Sequence, residues 1–165
     1  MKVLLLDVYI KDSKYRICKD TNGSYGTAND YGDSLFPKLL TKIAKNTNFW
    51  PPIYLMYVGA VLREKGHEVH YSNNIVNDEE YDCIIMSSSI VCHESEIKEI
   101  KKINKKSKVV VGSFVTSNPE KYLETGVRVV LGEPEFYFLR NSLDTILKDN
   151  NFSFNSINKE NEDLD

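Results

Sequence analysis

Short apolar runs alternate with longer amphipathic segments along most of the chain. Apolar runs that end at polar or turn-forming residues predict buried strands, and longer periodic segments framed by proline, glycine or lysine predict helices. The predicted strands are residues 2–9, 67–71, 81–90, 109–111 and 127–131. The predicted helices are residues 53–62, 94–106 and 134–147, a short helix within 34–45, and another that Asn118 caps and Pro119 begins.

Alternation of strands and helices is typical of an α/β protein whose parallel sheet is covered on both faces. The predicted fold is a Rossmann-like (flavodoxin-like) three-layer sandwich with a five-stranded parallel sheet in the order 2-1-3-4-5. In such sheets, ligands bind beyond the carboxyl ends of the strands, near the point where the strand order reverses. The candidate binding segments are therefore the four strand exits, residues 7–11, 87–93, 112–116 and 132–135.

Residues 1–150 are predicted to form one domain, a size that suits a single hydrophobic core. Within this domain, residues 11–50 form a long loop without a strong period, and its segment NGSYGTANDYGDS, residues 22–34, contains three glycines. Loops of this length in compact domains are functional or disordered. Residues 151–165 are mostly Asn, Ser, Lys, Glu and Asp, and we interpret them as a polar linker or tail.

Charge and composition narrow the class of protein. A formal charge of −3 argues against a nucleic-acid partner. The only lysine-dense stretch, residues 98–108, is interleaved with isoleucines, which favours the solvated face of an amphipathic helix over a phosphate-binding patch. The three cysteines are widely spaced, and no apolar window reaches the length of a membrane span. We therefore expect a cytoplasmic protein without a membrane partner.

Three strand exits carry residues suited to holding a ligand. The serines at 87–89 offer hydroxyls and backbone N–H groups to an anionic or amide-rich ligand, although a serine here equally caps the next helix. Gly112 and Gly132 end the fourth and fifth strands, and glycine lets the backbone approach a ligand closely. One glycine turn is weak evidence, but two on adjacent strands predict a ligand crevice. We name residues 112–116 the Gly112 corner and residues 132–135 the Gly132 corner.

The sequence offers little for catalysis. His67 and His70 flank the second strand at the edge of the predicted sheet, where a surface position is the favoured interpretation. Cys92 and His93 lie at a strand exit, but a half-buried cysteine beside a helix start is favoured over a ligand contact. No metal-spaced Cys/His set, phosphate loop, G-x-G-x-x-G or G-x-S-x-G motif occurs. We therefore predict no catalytic and no metal-binding residues.

Three segments taken together resemble the cobalamin-binding domains that precede radical SAM domains. PPIYLMYVGAVLREKGHEV, residues 51–69, is similar to their opening PP-x-L-x-Y-L-A-x-x-L-x-x-x-G-H-E-V. IIMSSSI, residues 84–90, is similar to their third strand. VVVGSFVTSNPEKYLETGVRVVLGEPE, residues 109–135, is similar to V-V-x-G-G-P-H-x-T…P-E…V-V-x-G-E-G-E. The resemblance extends from the first predicted strand to the last predicted helix.

This resemblance implies a cobalamin-binding module that holds the corrin without a lower-axial histidine, because the family's D-x-H-x-x-G motif is absent. S-adenosylmethionine and a 4Fe-4S cluster would bind in a radical SAM barrel of the same polypeptide, to which residues 151–165 would lead. This chain lacks the cysteine triad for such a cluster. The implied cofactor-binding residues are Ser87, Ser88, Ser89, Gly112, Ser113, Phe114, Thr116, Gly132, Glu133 and Glu135.

Two other functions stay open. Ser113 and Phe114 replace the family's second glycine and its proline, and Pro134 replaces a further glycine and removes a backbone donor. The main alternative is therefore a domain of the same fold that has lost cobalamin and serves as a non-catalytic scaffold or interaction domain. A flavodoxin-like binder of another nucleotide ranks last, because no glycine-rich phosphate loop follows the first strand.

Overall fold

The structure, a computed structural model, describes residues 1–9, 32–47, 51–74, 77–104, 107–149 and 151–156. Its strands are β1 Lys2–Leu6, β2 Glu68–Ser72, β3 Cys83–Ser87, β4 Lys108–Val111, β5 Arg128–Leu131 and β6 Ser153–Asn155. Its helices are α1 Leu35–Thr47, α2 Ile53–Glu64, α3 His93–Lys102, α4 Ser113–Ser117, α5 Glu120–Leu123, α6 Pro134–Arg140 and α7 Leu143–Lys148, with one 3-10 turn at Asp78–Glu80. Most of the predicted loop 11–50 lies outside the described residues, as do residues 157–165.

The six strands found in the described ranges form one parallel sheet in the order β2-β1-β3-β4-β5-β6. Strand β1 lies between β2 and β3, with Leu5 opposite both Tyr71 and Ile85. Residues 3–6 are all buried, because helices cover both faces of the sheet, and this explains the continuous apolar run in the sequence. The predicted α/β architecture and the order of the first five strands are confirmed.

Alternate residues of each strand pack into two hydrophobic clusters, one on each face of the sheet. Val3 and Leu5 belong to the cluster that includes buried residues of α2, α6 and α7. Leu4 and Leu6 belong to the cluster that includes buried residues of α3, α4 and α5. The result is a three-layer arrangement in which all strands expose their carboxyl ends at the same edge.

The prediction of five strands was short by one, because β6 lies in the segment that we interpreted as linker or tail. Its central residue, Phe154, is buried and contacts the Tyr137 ring, with the two ring centroids 5.8 Å apart. Its neighbours Ser153 and Asn155 are exposed. A three-residue strand with one apolar side chain is too short to produce the alternation by which strands are recognised.

The helix predicted at 134–147 is two helices, α6 and α7, separated at Asn141 and Ser142. The Ser142 hydroxyl accepts a hydrogen bond from the Thr145 N–H and thereby caps α7. The Lys65 ammonium donates to the carbonyls of Leu139 and Asn141, each at 2.9 Å, and so satisfies groups that a continuing helix would have bonded. These side-chain bonds explain why the chain stops and restarts here.

Helix α5 begins differently from the sequence prediction, whereas helix α1 is present as predicted. Asn118 does not cap α5 as predicted, because no side-chain capping bond forms there and its amide instead donates to the Phe114 carbonyl at 3.5 Å. The short helix predicted within 34–45 is present as α1. Over the ranges that the structure describes, none of the helices combines the length and the hydropathy needed to cross a membrane.

Candidate functional site

The two glycine corners lie side by side and form the walls of a crevice of about 460 Å³ at the carboxyl ends of β4 and β5. The first turn of α2, through Tyr54, forms the floor of the crevice. A volume of this size falls within the range of small-molecule pockets. The residues that line the crevice are Tyr54, Gly112, Ser113, Thr116, Ser117, Gly132, Glu133 and Pro134.

Thr116 joins the two corners through its hydroxyl group. This hydroxyl donates to the Gly112 carbonyl at 2.8 Å and accepts from the Gly132 N–H at 3.0 Å. One side chain therefore ties the exit of β4 to the exit of β5. Two adjacent glycine turns form a fixed pair of backbone walls, in which the glycines permit the turn and the threonine holds the walls together.

Gly112 has the backbone conformation that makes a glycine necessary, with φ 117° and ψ −179°. A Cβ atom at this position would lie 2.6 Å from the Tyr54 hydroxyl oxygen and 3.0 Å from the Ser88 carbonyl oxygen. The Tyr54 hydroxyl itself donates to the Ser88 carbonyl at 3.3 Å. The phenol ring thus packs directly on the glycine and defines the floor of the crevice.

The three serines at the exit of β3, residues 87–89, are fully buried, and none of them lines the crevice. We call them the β3 serines. The Ser87 hydroxyl donates to Asp7 Oδ1 at 2.7 Å. The Ser88 hydroxyl accepts from the Val115 N–H at 3.0 Å, which satisfies a free donor in the first turn of α4. In this structure the serine hydroxyls hold the strand exits together from within, beneath the surface that a ligand would contact.

Ser89 takes part in a buried network on the α3 side of the sheet. Its hydroxyl accepts from the Cys92 N–H at 3.1 Å, a local turn bond at the entry to α3. The fully buried Glu96 carboxyl accepts from the Ser89 N–H at 3.1 Å and from the Tyr122 hydroxyl at 2.6 Å. Burial raises the pKa of Tyr122, and Glu96 raises it further, so the phenol keeps its proton and remains the donor.

Phe114 points away from the crevice. Its ring packs against His93 with the centroids 4.8 Å apart and against Tyr122 at 6.3 Å. The buried ring belongs to the cluster beneath α3 and α5. The phenyl ring that replaces the family's proline therefore does not obstruct the Gly112 corner in this structure, and it does not line the crevice either.

A second buried carboxylate, Asp7, lies at the exit of β1, where the strand order reverses. Besides Ser87, the Tyr71 hydroxyl donates to Asp7 Oδ2 at 3.1 Å. Burial raises the pKa of Tyr71, and Asp7 raises it further, so this phenol also remains protonated. Asp7 connects the exits of three neighbouring strands, because Tyr71 belongs to β2 and Ser87 to β3.

The Gly132 corner contains two carboxyl groups. Glu133 is exposed and lines the crevice, and its backbone N–H donates to the Ser156 hydroxyl at 2.8 Å. Glu135 lies behind it, and its Oε2 atom is buried with no hydrogen-bond partner among the described residues. Burial raises the pKa of the Glu135 carboxyl above 4.5, and Glu133 raises it further, although a bond to its own backbone N–H opposes the shift.

Glu135→Gln is therefore expected to change how stability depends on pH. Because the carboxyl binds its proton more tightly in the folded than in the unfolded protein, its contribution is full below the unfolded pKa. That contribution is lost as the pH rises through the folded pKa. The variant should gain stability relative to the wild type as the pH rises through the raised pKa of Glu135, measured as the urea midpoint at each pH. Glu64→Gln, an exposed site at the end of α2, is the matched control, and parallel profiles for wild type and Glu135→Gln would exclude the raised pKa.

The histidines and cysteines that the sequence singled out do not line the crevice. His70 contacts Glu68 at 2.9 Å, and the His93 Nδ1 atom lies 2.9 Å from the Ile90 carbonyl oxygen. Cys83 and Cys92 are both buried. In the described ranges no group of three or more His, Cys, Asp or Glu side chains is placed to hold a metal ion. The groups that the crevice offers to a ligand are therefore hydroxyls, one aromatic ring and one carboxylate.

Compared with models of protein families, with curated proteins and with solved structures, the chain matches none of them.

The sequence did not identify Tyr54 and Ser117 as crevice residues. A signal for Tyr54 was present, because in a parallel α/β sheet each crossover helix begins at the edge where the strands end. The first turn of α2, directly after Pro51 and Pro52, therefore reaches the strand exits. Ser117 has no such signal, because only the observed length of α4 brings it to the crevice.

Proposed function

We propose that this chain is a cobalamin-binding module whose crevice receives the nucleotide end of the cofactor. The observation that carries the proposal is the pairing of the two glycine corners across Thr116, at the sheet edge where Rossmann-like domains bind nucleotides. The sequence resemblance suggests the ligand, and the presence of a crevice at this edge supports the proposal.

The lining of the crevice fits part of the cofactor. A volume of about 460 Å³ suits a nucleotide-sized group rather than a whole corrin. The exposed Ser117 offers a hydroxyl to ribose or amide groups, and the glycine backbones allow close approach. The β3 serines do not fit this role as the structure has them, because their polar groups bond to protein atoms.

In this proposal the residues of this chain bind the cofactor, and the reaction itself depends on groups outside the chain. When bound, cobalamin supplies the reactive group, and a radical SAM barrel in the same polypeptide supplies the rest of the reaction centre with S-adenosylmethionine and a 4Fe-4S cluster. The residues of this chain bind and orient: Thr116 fixes the distance between the two corners, and Tyr54 closes the floor. A cytoplasmic location fits this proposal, because iron-sulfur and thiol chemistry need a reducing compartment.

Ser113→Trp is expected to abolish cobalamin binding, because an indole at the exposed first residue of α4 fills the crevice mouth. The measurement is a titration with hydroxocobalamin, followed by the visible spectrum of the protein after desalting, in which the wild type should retain a shifted corrin spectrum. We expect the apparent affinity of the variant to fall by at least about a hundredfold, which corresponds to about 2.7 kcal/mol.

Glu120→Trp is the matched control, because it adds the same ring at an exposed site of α5 that does not line the crevice. Full binding by Ser113→Trp would show that the crevice is not the cobalamin site. Loss of binding in both tryptophan variants would point to a general effect on folding, which thermal melts of both proteins would detect.

A second function, a scaffold of the same fold without cobalamin, is favoured by the position of Tyr54. Its ring occupies the space directly above Gly112, where close approach of a ligand would otherwise be possible. Tyr54→Ala distinguishes the two functions in the same titration. A colourless wild type with a corrin-binding Tyr54→Ala variant would mean that Tyr54 closes an inherited site, and two colourless proteins would support the scaffold.

A further inference from the structure

Helix α1 has an apolar face that the described parts of the protein leave uncovered. Its large apolar residues follow the spacing i, i+1, i+4, i+5 and i+8, which places them on one side of a helix. All of them are exposed, from 39% for Leu40 to 88% for Leu35. These residues are Leu35, Phe36, Leu39, Leu40 and Ile43.

The side of α1 next to its apolar face is basic. The sequence of the helix contains Lys38, Lys42 and Lys45 and no acidic residue, although the whole chain has a formal charge of −3. Lys38 and Lys42 are exposed. The Lys38 ammonium lies 3.8 Å from the Asp33 carboxylate, but both side chains are well exposed, so solvent weakens this pair. The helix therefore presents positive charge along the border of its apolar face.

We propose that α1 binds the surface of an anionic lipid bilayer, lying in the plane of the interface with its apolar face toward the acyl chains. An amphipathic helix with leucine and phenylalanine on one side and lysines on the other has the composition of interfacial helices. The absence of acidic residues in the helix removes the repulsion that an anionic headgroup layer would otherwise exert. This contact needs no membrane-spanning helix, and none is found over the ranges that the structure describes.

The occupant is identified by charge as well as by apolarity. A second copy that packed its own α1 against this face would bring the lysines of the two helices together, because α1 contains no acidic residue, and like charges repel. An anionic bilayer offers uniform negative charge beside an apolar layer, and each lysine near such a surface contributes about 1 kcal/mol, or roughly fivefold in partitioning. Lipid therefore matches both faces of the helix at once.

The test is co-flotation of the whole 165-residue chain with vesicles of phosphatidylcholine alone and of phosphatidylcholine with phosphatidylserine. We expect binding to the anionic vesicles that weakens as the salt concentration rises. Lys38→Gln/Lys42→Gln should reduce partitioning about 25-fold, and Leu39→Ser/Ile43→Ser about tenfold or more, because each apolar side chain loses its burial in lipid. The single tryptophan, Trp50, follows α1 closely in the sequence and provides a fluorescence signal for insertion.

Lys98→Gln/Lys101→Gln on α3 is the matched control, because it removes the same charge from exposed sites on another helix. This variant should bind the anionic vesicles as the wild type does. Equal loss in the two lysine variants would reduce the effect to net charge and overturn the assignment to α1. Absence of wild-type binding to anionic vesicles would overturn the proposal outright. So would dimerisation that Leu39→Ser/Ile43→Ser abolishes, which would make a second copy the occupant.

Discussion

Gly112→Ala is expected to lower the free energy of unfolding by about 2–5 kcal/mol. The backbone conformation at Gly112 is one that only glycine adopts without strain, and forcing another residue into it costs about 1–3 kcal/mol. The added methyl would also collide with the Tyr54 hydroxyl at 2.6 Å and the Ser88 carbonyl at 3.0 Å. Overpacking of this kind costs about 1–3 kcal/mol more. For a domain of this size the melting temperature should fall by about 4–20 °C, measured by circular dichroism.

Gly66→Ala separates the two contributions. Gly66 also has a positive φ, 82°, but no atom lies within 4 Å of the position that a Cβ would occupy. Only backbone strain remains there, so we expect a loss of about 1–2 kcal/mol. If the two variants lost equal stability, the Tyr54 ring would be free to move aside, and the floor of the crevice would be more adaptable than the structure indicates.

Glu96→Ala is expected to destabilise the protein by about 3–5 kcal/mol. The change leaves the Ser89 N–H and the Tyr122 hydroxyl buried without their acceptor, and each lost partner costs about 1–3 kcal/mol. It also removes packed methylene groups from a fully buried position. Chemical denaturation, followed by circular dichroism, measures the loss as a shift of the urea midpoint.

Two variants on the same helix test this explanation. Glu96→Gln keeps the size of the side chain and one acceptor oxygen, so we expect it to recover more than half of the loss. Glu99→Ala removes a carboxylate that pairs with Lys102 at the surface and should cost less than about 1 kcal/mol. A Glu96→Ala variant as stable as Glu99→Ala would mean that water or a rearranged chain replaces the acceptor.

The parallel sheet with both faces covered could be predicted from the sequence because the buried strands are nearly continuous apolar runs, and the strand order followed from the flavodoxin-like fold class. Val3–Leu6 and Cys83–Met86 have no polar interruption, which is possible only where helices cover both faces of a sheet. Strand β6 and the break between α6 and α7 could not be predicted in the same way. Both depend on single side chains, Phe154 and Lys65, whose partners lie far away in the sequence.

The candidate site was likewise predictable in its backbone turns but not in the directions of its side chains. The two glycine corners were predicted to lie on adjacent strands, and glycine after an apolar run is a local signal that the structure bears out as paired turns. The direction of a side chain at a strand exit has no local signal. Ser113 faces the crevice, whereas its neighbour Phe114 faces the core. Ser88 is buried at the exit of β3, where its hydroxyl accepts a hydrogen bond from the first turn of α4. The role of these corner and serine residues in binding cobalamin stays a prediction.

The short strand β6 determines where this domain can be divided. Among the described residues, β6 forms one edge of the sheet. It has only three residues, two of them with polar side chains, so it offers little for a further strand to pair with. A chain cut at residue 150 would leave the four-residue edge of β5, with its buried Val129 and Val130, open to intermolecular pairing. It would also lose Ser156, whose hydroxyl holds the Glu133 backbone in place. Residues 153–156 therefore have two roles: they cover the edge of β5 against intermolecular pairing, and they hold one wall of the crevice in place.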